Sequence, residues 1–383
     1  MHCVDIMAYT NKKPWWLGLD GVHGFDGLGE ARYLGDEAVD ARTMVRMAFP
    51  RRDGLPGTWQ VEKRQAGFKL ESSEAFKLRE TFKLHTPEGH WIPALDEYFL
   101  VRNDDLSPLG RCKGTYAPFQ IEDVFSFMDS LREDHGLRFH TAGSLMNGKK
   151  VWALAQLPGE FVVKRLDGSQ NHHVPFLLMS AGHDGATAIW LMPTDVRAEC
   201  WNTVSMAESS AEHEQKIFGI VHTASAKHKV EEAKVALDLL TEQERIFAEV
   251  AQELARARMR HDEFRIFANA VLLDVEGSIT EAKEAVIEAR SKMTLRSRVI
   301  LDNKVDAMFG PFRDRRNGNL GEDRYDALQA VTQSYDHRAI DARYAGAKEH
   351  AEKIMRYSRA IESTWFGTGA KRKGRALRML AKW

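Results

Sequence analysis

The hydrophobic period changes once along this chain, and that change bounds what it can fold into. Before about Thr223 the apolar runs are short and separated by turn signals, as strands are. From Ala224 the apolar positions recur at helical spacing, with Val230, Ala233, Leu237, Leu240, Phe247, Val250 and Leu254 on one stripe. Strands first and helices last predict an α+β protein. The expected architecture is a central, mainly antiparallel sheet of hairpins within 1–223, then a helical region over 224–383 ending in a basic tail. With 383 residues the chain is long enough for two such units.

The strongest local signal is Asn147-Gly148, between the strand-like runs 138–146 and 149–157. Asn-Gly supplies the positive φ that a two-residue hairpin turn requires. Val151-Trp152-Ala153-Leu154-Ala155 is apolar on both faces, which predicts an inner strand. Pro175–Met179 and Ala186–Met192 flank a second turn at Gly182-His183-Asp184-Gly185, and Pro193 is expected to end the latter strand or leave it at an edge. Tyr98–Val101 and Lys216–His222 read as further strands, giving about five in all, close to the usual sheet size. A helix opens at Gln120 with Val124, Phe125, Phe127, Met128 and Leu131 inward, and Asn202-Thr203 is expected to cap a short helix into Met206. In the helical part, Thr241-Glu242-Gln243-Glu244 has the form of a capping box and suggests a break. Further helices are expected over 278–308, 322–338, 345–362 and 369–383, with breaks at Phe309-Gly310-Pro311 and Asn317-Gly318-Asn319.

Composition excludes several classes. A content of 43% apolar and 28% charged residues suits a folded chain, not a disordered one. No run approaches the roughly 18 uncharged apolar residues of a membrane helix, and the start lacks a signal-peptide core, so a soluble, cytoplasmic protein is expected. The three cysteines, Cys3, Cys112 and Cys200, are far apart, which argues against a disulfide framework or thiolate zinc site. Trp15 and Trp16 read as core anchors. The glycines between Gly21 and Gly29 lack the Gly-Lys-Ser/Thr of a phosphate loop.

Candidate chemistry is sparse. His172, His173 and His183 fall in expected turns without a further ligand at zinc spacing, so they read as solvent-exposed. His183-Asp184 could be a catalytic pair, though no nucleophile is tied to it, and an enzyme site could also lie near Asp184, Cys200 and His222, against the simpler reading of Cys200 as a buried apolar residue. No nucleophile-elbow, Walker or kinase motif occurs. No cofactor or metal is expected, and catalysis is the less favoured reading. The final stretch holds Lys371, Arg372, Lys373, Arg375, Arg378 and Lys382 without an acid. On a helix, Lys371, Arg375, Arg378 and Lys382 share one face, the stripe a phosphate-tracking helix needs, while Ala370, Leu377, Leu380 and Trp383 dock it. Lying at a terminus, this tail is expected to be dispensable for folding.

The order of blocks resembles the phage/plasmid-like protein family built on domain of unknown function 932. The resemblance is carried by Met7-Ala8-Tyr9, by 59–64 (WQVEKR), by 98–102 (YFLVR), by 116–120 (YAPFQ) and by 125–129 (FSFMD). It continues through 141–145 (TAGSL) with Gly148 and 151–155 (VWALA), then His183-Asp184-Gly185, Pro193-Thr194, 200–203 (CWNT), His222-Thr223 and 365–369 (WFGTG). Trp16-Leu17 stands where that family reads His-Gly, and 20–53 is an insertion. The resemblance implies a setting among phage, prophage and plasmid genes, whose products often handle DNA, and no activity of its own. The expected function is a nucleic-acid-associated accessory protein that binds or anneals single strands, acts as a homo-oligomer and touches no membrane. The analogy to single-strand annealing recombination proteins is one of fold alone. The alternatives are a non-catalytic assembly protein with oligomer contacts in its helical half, and an enzyme with a site near Asp184, Cys200 and His222.

Overall fold

A computed structural model describes residues 4–9, 30–34, 39–70, 78–82, 91–197, 203–205, 218–226, 237–315, 319–338, 359, 363 and 367–383. In chain order the elements are β1 (Val4–Tyr9), β2 (Glu30–Tyr33), α1 (Ala41–Ala48), β3 (Val61–Leu70), β4 (Leu78–Phe82), β5 (Trp91–Arg102) and β6 (Pro108–Cys112). Next come α2 (Ile121–His135), β7 (Arg138–Leu145), β8 (Lys150–Gln156), β9 (Phe161–Lys164), β10 (Gln170–Gly182), β11 (Ile189–Arg197), β12 (Thr203–Ser205) and β13 (Phe218–Ile220). The helices α3 (Leu237–Arg256), α4 (His261–Leu272), α5 (Ile279–Ser291), α6 (Leu295–Phe312), α7 (Arg324–Gln333) and α8 (Thr368–Lys382) follow, with a π-helical turn at Ser334–Arg338.

The fold is α+β, with strands N-terminal and helices C-terminal. The larger sheet has the order β12-β11-β10-β8-β7-β1-β2, with β13 beside β11 and β9 beside β10. Its pairs are antiparallel except β1–β2. A second, four-stranded sheet runs β4-β3-β5-β6, and only its Tyr98–Val101 segment was visible as a strand pattern. One core gathers Met44, Phe49, Trp59, Phe125, Phe139, Val151, Ala153, Leu177 and Met179 beneath α1 and α2. The other gathers Phe247, Phe264, Phe267, Phe312, Tyr325, Leu328, Leu377 and Leu380 from the helices, joined by Val163 of β9. Helices α3 and α8 also pack against strands β9, β11 and β12 of the larger sheet. Trp152 and Leu154 are therefore buried on β8, as a two-faced apolar run requires.

The local chemistry explains most boundaries. Asp123 accepts from Gln120 N at 3.0 Å to open α2, and Gly136 closes it in the left-handed region at φ 69°. Ser278, Thr294 and Asp323 cap α5, α6 and α7 through their side-chain oxygens.

Five expectations are corrected. The 147–148 hairpin forms, but its loop has four residues: Leu145 pairs with Lys150, and Met146, Asn147 and Gly148 all have positive φ. Pro193 does not end β11. It pairs with Leu177 and falls between the β13 contact at 189–191 and the β12 contact at 194–196, where a missing N–H costs little. Thr203 opens strand β12 and no helix. Helix α3 runs unbroken through 241–244, because its apolar stripe stays in register. Helix α6 runs through Pro311, forgoing one helical N–H bond, and ends one residue later at Phe312. Trp15, Trp16, the 21–29 glycines and almost all of 345–362 lie outside the described residues.

A Cβ at Gly148, at φ +92°, would meet the Trp59 ring at 2.6 Å, whereas one at Gly54, at φ +76°, would meet nothing within 4 Å. Gly148→Ala should cost more than the about 1–3 kcal/mol of backbone strain alone, and Gly54→Ala only that strain. Urea unfolding of the two variants checks this; equal losses would show that the Trp59 contact is irrelevant.

Candidate functional sites

Several of the family-like blocks meet in one buried knot. His183 has Nδ1 at 3.1 Å from Gly148 O and Nε2 at 2.8 Å from Phe119 O. A neutral imidazole has one N–H, so two carbonyl partners favour the protonated ring. Complete burial opposes that charge and holds its pKa below the ordinary value. The Trp59 ring stands edge-on to His183 at 6.0 Å, and His222 lies at 6.4 Å. Tyr116 stacks on His222 at 4.8 Å and donates to Gly182 O at 2.9 Å. Phe119 N donates to His222 Nδ1 at 3.3 Å. Burial, helped by His183, lowers the His222 pKa to about 4, so the ring is neutral near pH 7.

Asp184 closes its own turn. Its carboxylate accepts from Ala186 N at 2.9 Å, Thr187 N at 2.7 Å and Thr187 Oγ1 at 2.7 Å. Burial pushes its pKa up, but these bonds more than offset that and leave it below the usual value. The turn lies directly on β6. A Cβ at Gly185 would sit 1.7 Å from Arg111 O, and one at Gly110 would sit 2.0 Å from Asp184 O. Glycine at both places therefore lets the two sheets touch. The knot stitches the 116–120 segment to both hairpin turns through His183 and Tyr116, while Asp184 closes the 184–187 turn. Cys200 lies outside the described residues. The expected exposure of the histidines fails for His173 and His183, both fully buried. His172 and His173 lie in β10, not in a turn, and alternation along the strand sends His173 inward. Among the described residues no three metal-type ligands cluster.

A second buried group was not expected. Arg165, just after β9, donates to Asp323 Oδ2 through Nε at 3.1 Å and Nη2 at 2.7 Å, and its Nη2 is 2.7 Å from Asp326 Oδ1. Asp323 Oδ1 accepts from Asp326 N at 2.8 Å, and Asp326 Oδ2 from Gly321 N at 2.8 Å. Beside them, His173 Nε2 and Tyr325 Oη lie 2.6 Å apart, and Phe161 stacks on His173 at 4.7 Å. Arg165 also stands over the Tyr325 ring at 5.2 Å. All three charged side chains are at most 1% exposed. Burial first, and then Asp326 beside it, raises Asp323 to about 7; burial raises Asp326 as well. One guanidinium thus faces two buried carboxylates, both of which burial pushes toward the protonated form. The sole sequence signal is Asp323 with Asp326 three residues on, an N-cap pattern; Arg165 is 158 residues away.

Helix α8 is no peripheral tail. Ala370, Leu377, Met379 and Leu380 are buried in the helical core, and Trp383 Nε1 donates to Gly277 O at 2.9 Å. Lys373 is buried and paired with Asp336 at 2.8 Å, and Arg372 donates to Tyr335 Oη at 3.1 Å. The expected apolar docking strip is present, but dispensability for folding is not compatible with this burial. The stripe of Lys371, Arg375, Arg378 and Lys382 lies on the outer side, with both lysines exposed. Arg375 pairs with Asp274 and with Glu276 at 3.3 Å, and Arg378 with Glu276 at 3.1 Å.

The family model for domain of unknown function 932 matches residues 108–363. That span is most of the chain, and the chain belongs to this family. No curated protein and no solved structure matches it. The match holds the Arg165 group and, Trp59 apart, the His183 knot; α8 lies beyond it.

When unfolded, Asp323 releases its proton near 3.8; in the fold it keeps it to about 7. Folding therefore takes up a proton, and stability from this group falls as pH rises across that window. Asp323→Asn should abolish this component, so the wild-type-minus-variant unfolding free energy should fall from about pH 4 to about pH 7 and then level. His140 and His222, held near 4 by burial, contribute the opposite slope below 6.5 in both proteins and cancel in that difference. Arg165→Met strands two buried carboxylates and should cost about 3–5 kcal/mol at neutral pH. A pH-independent difference would show that the fold does not raise the Asp323 pKa.

Proposed function

We propose that this protein is an accessory protein of phage or plasmid origin that binds, and by fold analogy anneals, single-stranded nucleic acid. One observation carries the reading. Lys371, Arg375, Arg378 and Lys382 line the outer face of a helix whose opposite face is buried, so the charges are presented on a fixed frame. A pre-ordered stripe loses little conformational entropy on meeting a phosphate backbone. Asp274 and Glu276 offset the two arginines, leaving the two lysines as the principal phosphate contacts. The analogy to annealing proteins rests on a sheet of hairpins backed by helices. Catalysis at Asp184 and His222 has weaker support, since the first closes its own turn and the second is buried. A cytoplasmic, homo-oligomeric protein fits the same reading.

Because α8 belongs to the core, the test uses surface charge and not truncation. Binding of a labelled oligothymidylate should be weak and salt-dependent. The expected slope is about −1.4 for two phosphate contacts and about −2.8 if the arginines join them, at roughly −0.7 per contact. Lys371→Glu with Lys382→Glu should abolish binding without changing the circular dichroism. No binding by the intact chain at low salt, or full binding by the folded double variant, would refute the proposal.

A further inference from the structure

The turn after α4 carries an acid where local folding disfavours one. Asp274 stands two residues beyond the end of α4 at Leu272, with φ 58°. That left-handed position after a helix ordinarily takes Gly or Asn, because other side chains crowd the backbone there. A carboxylate at this place also meets the negative end of the α4 dipole. Both effects favour another residue at 274. What Asp274 gains lies across the turn, on α8.

Three guanidiniums converge on this turn. Arg375 pairs with Asp274 and, at 3.3 Å, with Glu276. Arg378 reaches Glu276 at 3.1 Å, and Arg372 Nε lies 3.5 Å from Asp274. The side chains of Asp274 and Glu276 are 55% and 49% exposed, those of Arg375 and Arg378 only 20% and 21%. The acids are therefore the outer members of these pairs. Trp383 Nε1 ties α8 to the turn through Gly277 O at 2.9 Å, and Val275 N ties the turn to α4 through Ala270 O at 2.9 Å. The next acid, Glu281, is used elsewhere, accepting from Ser278 N at 2.7 Å to cap α5. Arg378, with Arg375, holds the Glu276 pKa below its ordinary value, so that carboxylate is charged at neutral pH. A carboxylate takes the same fork of N–H donors on an arginine as a phosphate does. We propose that the 274–276 turn is an autoinhibitory clasp: Asp274 and Glu276 occupy Arg375 and Arg378 in place of strand phosphates, and a strand must displace them to use the whole stripe. The inference rests on the reading of α8 as a phosphate-binding helix. Half-exposed ion pairs are weak, so a polyanion can displace them.

Binding of a labelled oligothymidylate to the full chain over a salt series tests it. Asp274→Asn with Glu276→Gln removes both charges and keeps both shapes, and Asn tolerates the left-handed backbone. At about 0.1 M salt this variant should bind at least about tenfold more tightly than wild type, and its salt slope should steepen from about −1.4 to about −2.8, as two further contacts join at roughly −0.7 each. Adding Arg375→Gln with Arg378→Gln should remove the gain. A clasp that only fastened α8 would lower the urea midpoint of the variant without any gain in affinity. A wild type that binds and a clasp variant that binds no more tightly, or a gain that survives loss of both arginines, would overturn the clasp alone. No binding by either protein would overturn the α8 reading together with it.

Discussion

One guanidinium held between two carboxylates joins the strands of this protein to its helices. Arg165 leaves the sheet beside β9, and Asp323 and Asp326 open α7. Burying three charged groups is unfavourable unless they are paired, and here Arg165 pairs with both carboxylates. Asp326 also collects the 320–322 backbone amides, and Asp323 caps its helix. Two backbone bonds run alongside, from Met259 N to Glu322 O and from Arg324 N to Ala257 O, both at 2.9 Å. The α3–α4 connection is thereby zipped to the start of α7. Helix α8 packs on α7, so the basic stripe takes its position from this joint.

The His183 knot does for the strand part what the Arg165 joint does for the whole. Both hairpin turns, the 116–120 segment and β6 converge on it. Its glycines remove the side chains that would hold the sheets apart, His183 faces the buried Gly148 and Phe119 carbonyls, and His222 accepts from the Phe119 N–H. Blocks that look catalytic in the sequence, His183-Asp184-Gly185 above all, thus have a complete structural explanation.

What the sequence revealed followed locality. Turn chemistry placed the 147–148 and 182–185 hairpins, and helical spacing placed α2 and the buried face of α8. The second sheet stayed hidden because β3 reads Val-Glu-Lys-Arg-Gln-Ala-Gly-Phe-Lys-Leu, with charge on both faces. Lys63 still points inward, since its ammonium reaches the Gly114 and Tyr116 carbonyls at 2.6 and 3.1 Å. The exposure assigned to His173 and His183 failed because their partners, Tyr325 and the Gly148 and Phe119 carbonyls, are distant in sequence. The basic stripe was legible as spacing alone. Its neutralising acids, Asp274 and Glu276, lie about a hundred residues earlier, and no local pattern points to them.

A joint of this kind should make the sheet and the helices one cooperative unit. Native-state hydrogen exchange followed by mass spectrometry tests it most directly, because it reports the opening free energy of each segment. Helices α7 and α8 should exchange with the same opening free energy as β8 and β10. Exchange of α7 and α8 at a distinctly lower free energy, with the sheet still protected, would contradict it.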